Sequence, residues 1–412
     1  MAIQGLRTAE NLLAEDRPKN FRNIIYTMYP RGSGNYPLTA LTNAMKTRSV
    51  DDPQFYWFEK TMAARRLALG ASITTSSTTL TLTVTDNEQG AKQFAAGNLL
   101  YVEQTGEMLR VAQDPTSHTT LVVERGVAGT TPTAVTYNGA GVNPNIVGIG
   151  SAFEEGSLAP TGVARDMTPV YNYTQIMRQT YEATRTVQKV ATRTKEAVAA
   201  SKFEAMELLS TDLERALFLG KKSLSSLDGK PIRTMNGFEA YVHSDNVFTA
   251  DASTGCDMAT LEEYCYKLFK YGSSEKVWWV GNRALLTLQQ IIRKNSTFNI
   301  QSGLKEYGMN VSRLVTPFGE IVLKNHPLFN IMPGGTTGGS AYYGRDSWVI
   351  SMDMANLQYV YLKDSDIKPD ADLTPKGMDG TKGGFIGEVS LEVHLPLTHG
   401  IIKNLAKAKA DA

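Results

Sequence analysis

This chain has few of the residues from which metal and disulfide proteins are built: in 412 residues there are two cysteines and five histidines. Cys256 and Cys265 lie nine apart in a helical-looking stretch, a spacing that suits neither a disulfide framework nor a zinc site, so both read as reduced core thiols. His118, His243, His326, His394 and His399 are scattered. The last two stand five apart in a strand-then-turn segment, which puts their rings on opposite faces of a strand. No metal or other cofactor is expected. Charge of one sign is missing too: 42 Lys+Arg face 41 Asp+Glu, which leaves no global basic field to recruit nucleic acid or an anionic membrane. No stretch approaches the ~18 apolar residues of a membrane span. The first residues, MAIQGLRTAENLLAEDRPKN, lack the basic start and apolar run of a secretion signal, and the chain reads as soluble and made in a cytoplasm.

Catalytic patterns are equally scarce. There is no G-x-S-x-G, and neither cysteine sits in a nucleophile context. Gly148 to Phe153 begins like a dinucleotide fingerprint but puts Phe153 where the third glycine belongs, and Asp228-Gly229-Lys230 is followed by Pro231 where a phosphate loop needs Ser or Thr. Glu154 and Glu155 are adjacent, so on a strand they point apart and cannot work as a paired acid and base; a charged rim against basic residues of a neighbour suits them better. Arg65-Arg66, Lys221-Lys222 and Lys403, Lys407 and Lys409 lack the interleaved aromatics of a nucleic-acid surface. An enzyme is not expected.

What the chain does have is a pair of aromatic and acidic segments, Asp51 to Lys60 and Gly150 to Pro160, on either side of a Thr/Val/Gly-rich block. Each reads as one arm of a long hairpin carrying an inserted domain at its tip. Phe55, Trp57, Glu59, Lys60, Phe153, Glu154 and Glu155 are expected to bury against another subunit, together with Arg22 and Tyr26 of a coreless N-terminal arm, residues 1–37. The arms are placed at 38–70 and 145–170. Between them, 71–144 alternates as a small all-β module, with a hairpin over Tyr101 to Arg110 turning at Gly106.

The strongest helical signal runs from Lys195 to Gly220. Val198, Phe203, Met206, Leu209, Leu213 and Leu217 recur at helical spacing opposite Lys202, Glu207, Asp212 and Glu214, and Gly220 supplies the stop. Before it, Met167 to Val190 reads as strand. After it come a loop from Leu227 to Val242, helices over Met258 to Gly272 and Arg283 to Asn295, a strand from Lys276 to Asn282, a hairpin over Val311 to Phe329 turning at Pro317 to Gly319, and closing strands with an exposed loop from Ile367 to Gly384. The class is α+β.

This order of parts resembles the major capsid proteins of tailed bacteriophages with the Hong Kong 97 fold, over most of the chain. The similarity rests on Trp57-Phe58-Glu59, then Phe153-Glu154-Glu155-Gly156, then Asn172-Tyr173-Thr174-Gln175-Ile176 around one β insertion, with Gly387 to Val393 and His399-Gly400-Ile401 like the closing strand and tail. The resemblance implies an N-terminal arm, an extended loop, a spine helix at 195–220, a peripheral domain at 171–226 and 345–412, and an axial domain at 227–344. It implies self-assembly as hexamers and pentamers into an icosahedral head, in the host cytoplasm, around non-specifically held double-stranded DNA. A separate scaffolding protein, a portal and a decoration protein are the implied partners, with no membrane. Lys60 lies in the loop that some relatives cross-link, but no specific motif accompanies it, and non-covalent closure is expected. The alternative is another virion component: a tail tube, decoration or adhesin protein.

Overall fold

The computed structural model describes residues 45–60, 65–83, 90–137, 144–164, 167–190, 197–251, 254–294, 300–306, 309–330, 345–370 and 372–409. The expected arm at 1–37, with Arg22 and Tyr26, lies outside them. The chain divides into two compact units at Tyr56/Trp57 and Val170/Tyr171. Across both division points run β2 (Gln54–Glu59) and β9 (Thr168–Tyr173), which pair as a two-stranded ribbon.

The unit between those points is a closed antiparallel barrel. Its strands follow the order β3 (Arg66–Leu69), β4 (Thr79–Thr83), β7 (Thr120–Glu124), β6 (Met108–Val111), β5 (Asn98–Val102) and β8 (Asn145–Ser151), with β8 returning to β3. Period-two alternation sends Leu67, Leu69, Leu80, Leu82, Leu100, Val102, Leu109, Val111, Leu121, Val123 and Ile146 inward to a core of their own. The hairpin at Gly106 is present, with Tyr101 opposite Met108 and Gly106 at φ +72°. The expected limits of 71–144 are too narrow. β3 and β8, read as parts of the extended arms, close the barrel because Leu67, Leu69 and Ile146 belong to its core. Inside one end, Glu107 and Arg125 form a buried two-pronged ion pair (2.6 Å each), and Gly126 and Thr133 donate their N–H groups to the same carboxylate at 3.2 and 3.1 Å. Burial alone would raise the Glu107 pKa, but the guanidinium and the two amides hold it below the ordinary carboxylate range.

In the other unit two sheets share the chain. The first runs β1 (Lys46–Val50), β19 (Leu357–Leu362), β21 (Gly380–Val393) and β10 (Gln175–Thr184), with β20 (Lys368–Asp370) also on β21. The second runs β13 (Val247–Thr249), β22 (Gly400–Lys403), β18 (Val349–Met352), β14 (Glu275–Val280), β17 (Gly319–Asn325), β16 (Met309–Thr316) and β15 (Ile300–Glu306). Both faces of its central strands β14, β17 and β18 are buried. Trp279, Val322 and Ile350 join one core, while Trp278, Ile321 and Val349 join another with helices α3 (Met258–Leu268) and α4 (Asn282–Lys294).

The expected domain boundary at 344/345 does not follow the hydrogen bonds. β18 and β22 pair into the sheet of β14 and β17, whereas β19 and β21 pair with β1 and β10. The resemblance implies that 345–412 returns to one domain, whereas the chain passes back and forth between the sheets.

Residues 185–189 form a short helix, α1 (Arg185–Lys189), started by the Thr184 hydroxyl on the Val187 N–H, so the strand read over 167–190 ends early. The long helix α2 (Ala197–Leu219) packs on β10 and β21; at 1.5 Å per residue its 23 residues span about 35 Å. Ala205, Leu209, Leu213 and Leu217 form its buried stripe with Phe218 beside it. Phe203 and Met206, expected in that stripe, are exposed, and Glu214, expected opposite it, is fully buried with its Oε1 2.9 Å from His326 Nε2. The helix stops at Gly220 for a reason of space: a Cβ there would stand 2.6 Å from the Ala216 carbonyl oxygen and 2.7 Å from that of Met235.

A polar joint sits where the two sheets exchange strands. The Asp353 carboxylate, at the end of β18, accepts from Ser273 N–H and Oγ and from Ala355 N–H and the Asn356 side chain. Its backbone N–H donates to His399 Nδ1 at 3.2 Å, and His399 Nε2 donates to the His394 carbonyl at 3.1 Å. These two bonds fix one neutral tautomer. Burial pushes the imidazole down to about 4, and lowers the neighbouring Lys276, whose ammonium donates to the Tyr271 and Thr398 carbonyls, to about 8.

Candidate subunit interface

The residues expected to meet a neighbour fall into two classes. β2 is aromatic at four successive positions, and the pleat splits them. Phe55 and Trp57 are 5% and 6% exposed, while Tyr56 and Phe58 are 51% and 67% exposed. Phe55 and Trp57 are therefore core residues of their own chain, which corrects their assignment as contact residues, and the outward pair is the one available to a partner. Sequence reading missed this because alternation can be read only when one face is polar, and here neither is. Trp57 Nε1 donates to Glu59 Oε1 at 2.9 Å, so half-buried Glu59 fixes the indole; Lys60 is exposed.

The ribbon is tied down at its base by the Asn172 to Ile176 motif, for which the sequence suggested no mechanism. Asn172 is fully buried. Its Nδ2 donates to the carbonyls of Leu391 (2.7 Å) and Asn236 (3.2 Å), and its Oδ1 accepts from Asn236 N–H at 2.8 Å. Thr174 N–H reaches the Pro53 carbonyl at 2.8 Å, its hydroxyl reaches Glu388, and Gln175 Oε1 accepts from Met235 N–H. Ser390 donates to the Tyr173 carbonyl at 2.7 Å. One short motif thus joins the start of β2, the segment after α2, and β21. Above it, Tyr56 lies 5.7 Å from Tyr171, and the Lys222 ammonium sits 3.7 Å from the Tyr171 ring centre.

The return segment, residues 151–160, is exposed at every position. Phe153 lies across Gly97, which is at φ +83° and whose Cβ would stand 2.4 Å from the ring; one edge of the ring remains open. Glu154 and Glu155 project into solvent with no ion-pair partner among the described residues, and Ser157 N–H closes a turn on the Glu154 carbonyl around Gly156 at φ +78°. Leu158 is 92% exposed. Farther on, Thr161 donates to Asp114 at 2.6 Å. That hydroxyl and the Ala96 N–H hold the Asp114 carboxyl below its usual range and fasten the segment to the barrel beside a cavity of about 380 Å³.

A further exposed element overlaps the loop expected from Leu227 to Val242. Residues 223–234 form a hairpin, β11 (Ser223–Leu227) and β12 (Lys230–Thr234), with positive φ at both Asp228 and Gly229, as a two-residue turn of type I′ requires. Leu224, Leu227 and Ile232 stand in solvent on it. The Asp-Gly turn flanked by short apolar positions was the available signal.

The profile of the SU10 major capsid protein family matches residues 5–406. A major capsid protein of Pseudomonas phage PaMx41 is 25% identical over 416 residues, covering 95% of this chain and 93% of that one. Among solved structures, the capsid of an empty GTA particle aligns over 96% of this chain and 97% of its own, with 7% identity and a TM-score of 0.49. An encapsulin complex from Synechococcus elongatus aligns over 60% of this chain and 81% of its own, with 8% identity and a TM-score of 0.43. With a family profile matched along nearly its whole length, the chain belongs to the SU10 major capsid protein family.

Proposed function

We propose that this phage major capsid protein builds its icosahedral head by laying the β2/β9 ribbon and the return segment of each copy on a neighbouring copy, in hexamers and pentamers arranged as in the Hong Kong 97 fold. One observation carries this reading: β2 keeps Tyr56 and Phe58 in solvent although the inward partners Phe55 and Trp57 already complete its own packing. An exposed aromatic pair on a strand, followed by the exposed Lys60, has the composition of an interface core and rim. Each such contact buries about 1,000 Å² or more, and many of them sum through multivalency into a closed container. The role is assembly and not turnover. Residues 1–37, with Arg22 and Tyr26, serve as a further contact arm, and the barrel projects from the shell or braces adjacent capsomers. A scaffolding protein directs closure in the host cytoplasm, a portal occupies one vertex, and double-stranded DNA fills the interior without sequence preference.

Negative-stain electron microscopy of the chain expressed alone and with its scaffolding protein tests the proposal. Closed shells or ring-shaped capsomers are expected. Phe58→Ser should leave a folded chain that does not close shells, whereas Phe55→Ser should unfold the chain before assembly. Normal shells from Phe58→Ser, or from a chain lacking residues 1–37, would show that closure uses other surfaces.

A further inference from the structure

The hairpin of β11 and β12 has no use within its own unit. All five residues of β11 and the first three of β12 are exposed; the root is fastened through Lys222 on Tyr171 and Arg233 3.6 Å from Glu388, while Ser223 and Thr234, 2.8 Å apart, close the hairpin on itself. A lone two-stranded hairpin is marginal in water. This one also carries apolar residues on both faces: the register sets Leu224 and Pro231 on one side, Leu227 and Ile232 on the other. Its charge is basic. Lys221 and Lys230 are exposed and have no ion-pair partner among the described residues.

The return segment is its chemical complement. Phe153 and Leu158 supply exposed apolar groups, and between them Glu154 and Glu155 are anions with no ion-pair partner among the described residues. We infer that the hairpin of one copy receives residues 153–158 of the next copy, with Lys221 and Lys230 on Glu154 and Glu155 and the aliphatic side chains closing around Phe153 and Leu158. This deepens the assembly reading above and rests on it, since it names the acceptor surface for the return segment. The two patches are different surfaces, so the contact is head-to-tail. A head-to-tail contact closes only as a ring, which is the geometry that hexamers and pentamers need, whereas a like-with-like contact would stop at a dimer.

Two experiments test it. Glu155→Cys and Lys230→Cys are placed in differently tagged chains and co-expressed, so that any bond between the tags is intermolecular. Native Cys256 and Cys265 are buried, with thiols pushed up to about 11 and 12, and do not compete. Mild oxidation should give a mixed dimer on a non-reducing gel when both variants are present and none from either alone. Separately, Lys221→Glu with Lys230→Glu should cut the yield of closed shells at least tenfold, and adding Glu154→Lys with Glu155→Lys should restore most of it. Wild-type shell yield from the reversed hairpin, with no mixed dimer, overturns the inference and leaves the assembly reading standing. Shells that close normally but no longer retain DNA would overturn it in favour of a hairpin that faces the packaged strand. If the unaltered chain forms neither rings nor shells, the assembly reading fails and this contact fails with it.

Discussion

His399 sets an acid limit on this subunit. Its imidazole is fully buried, accepts from Asp353 N–H and donates to the His394 carbonyl, with Lys276, Asp353 and His394 as the titratable groups around it. A second proton would displace the Asp353 N–H and place a cation beside Lys276 in a fully buried site. The folded value lies at about 4, against 6.5 for a free imidazole. Between these values the unfolded chain binds a proton that the folded chain refuses, so stability falls as pH drops through that window and levels off below it. At about 1.4 kcal/mol per unit, the full cost is about 3 kcal/mol, and about 2 kcal/mol of it is lost between pH 7 and pH 5.

The assay is urea unfolding of the unassembled chain at pH 7, 6 and 5, followed by the fluorescence of Trp278, Trp279 and Trp348, all buried in the same unit. His399→Gln keeps an N–H donor for the His394 carbonyl but has no proton to gain. It should be less stable at pH 7 and show a shallower pH dependence, closing about 2 kcal/mol of the gap by pH 5. Parallel pH profiles for the two proteins would refute the reasoning, as would a His399 ring resonance that titrates near 6.5.

Other changes have equally definite outcomes. Arg125→Met strands the buried Glu107 carboxylate and should cost the barrel about 3–5 kcal/mol, read as a lowered melting transition of that unit with α2 unaffected. Asn172→Ala leaves Asn236 N–H and the Leu391 carbonyl without their partner and should cost about 3 kcal/mol in chemical denaturation. Leu213→Ala opens a cavity under the long helix and should cost about 2–5 kcal/mol by the same measurement. Gly220→Ala forces a methyl against two carbonyl oxygens and should cost about 1–3 kcal/mol, although alanine is the better helix former.

The fold was legible where one face of an element is apolar and the other polar. The barrel strands alternate Thr with Leu in the Thr79–Thr83 segment and were read correctly as strand, and α3 and α4 were found from their stripes. The pairing of distant strands was not legible. Nothing local to Val349 or Gly400 says that these residues hydrogen-bond to the sheet of Trp278 while their chain neighbours join another. Register across sheets is set by long-range packing, and the sequence near a strand specifies only which of its faces is buried. The same limit explains Glu214. Its polarity suggests the solvent side of α2, whereas in the fold its buried carboxylate meets His326 from 112 positions away.

The candidate interface was half legible, and the half that was missed is informative. Aromatic density at Phe55 to Phe58 marks a segment that buries something, yet the single-chain structure assigns Phe55 and Trp57 inward and leaves Tyr56 and Phe58 exposed. A strand that is apolar on both faces is ordinary in the middle of a protein and costly at its surface. Phe203 and Met206 on α2 and the aliphatic residues of the β11/β12 hairpin are likewise exposed, at separate places in the two-sheet unit. A monomer would be more soluble with a polar residue at each of these positions, and substituting one would leave the chain's own core intact. Their shared character is explained if the surroundings in which this sequence is fully packed include neighbouring copies, so that the side chains which look misplaced in one subunit are the core residues of the shell.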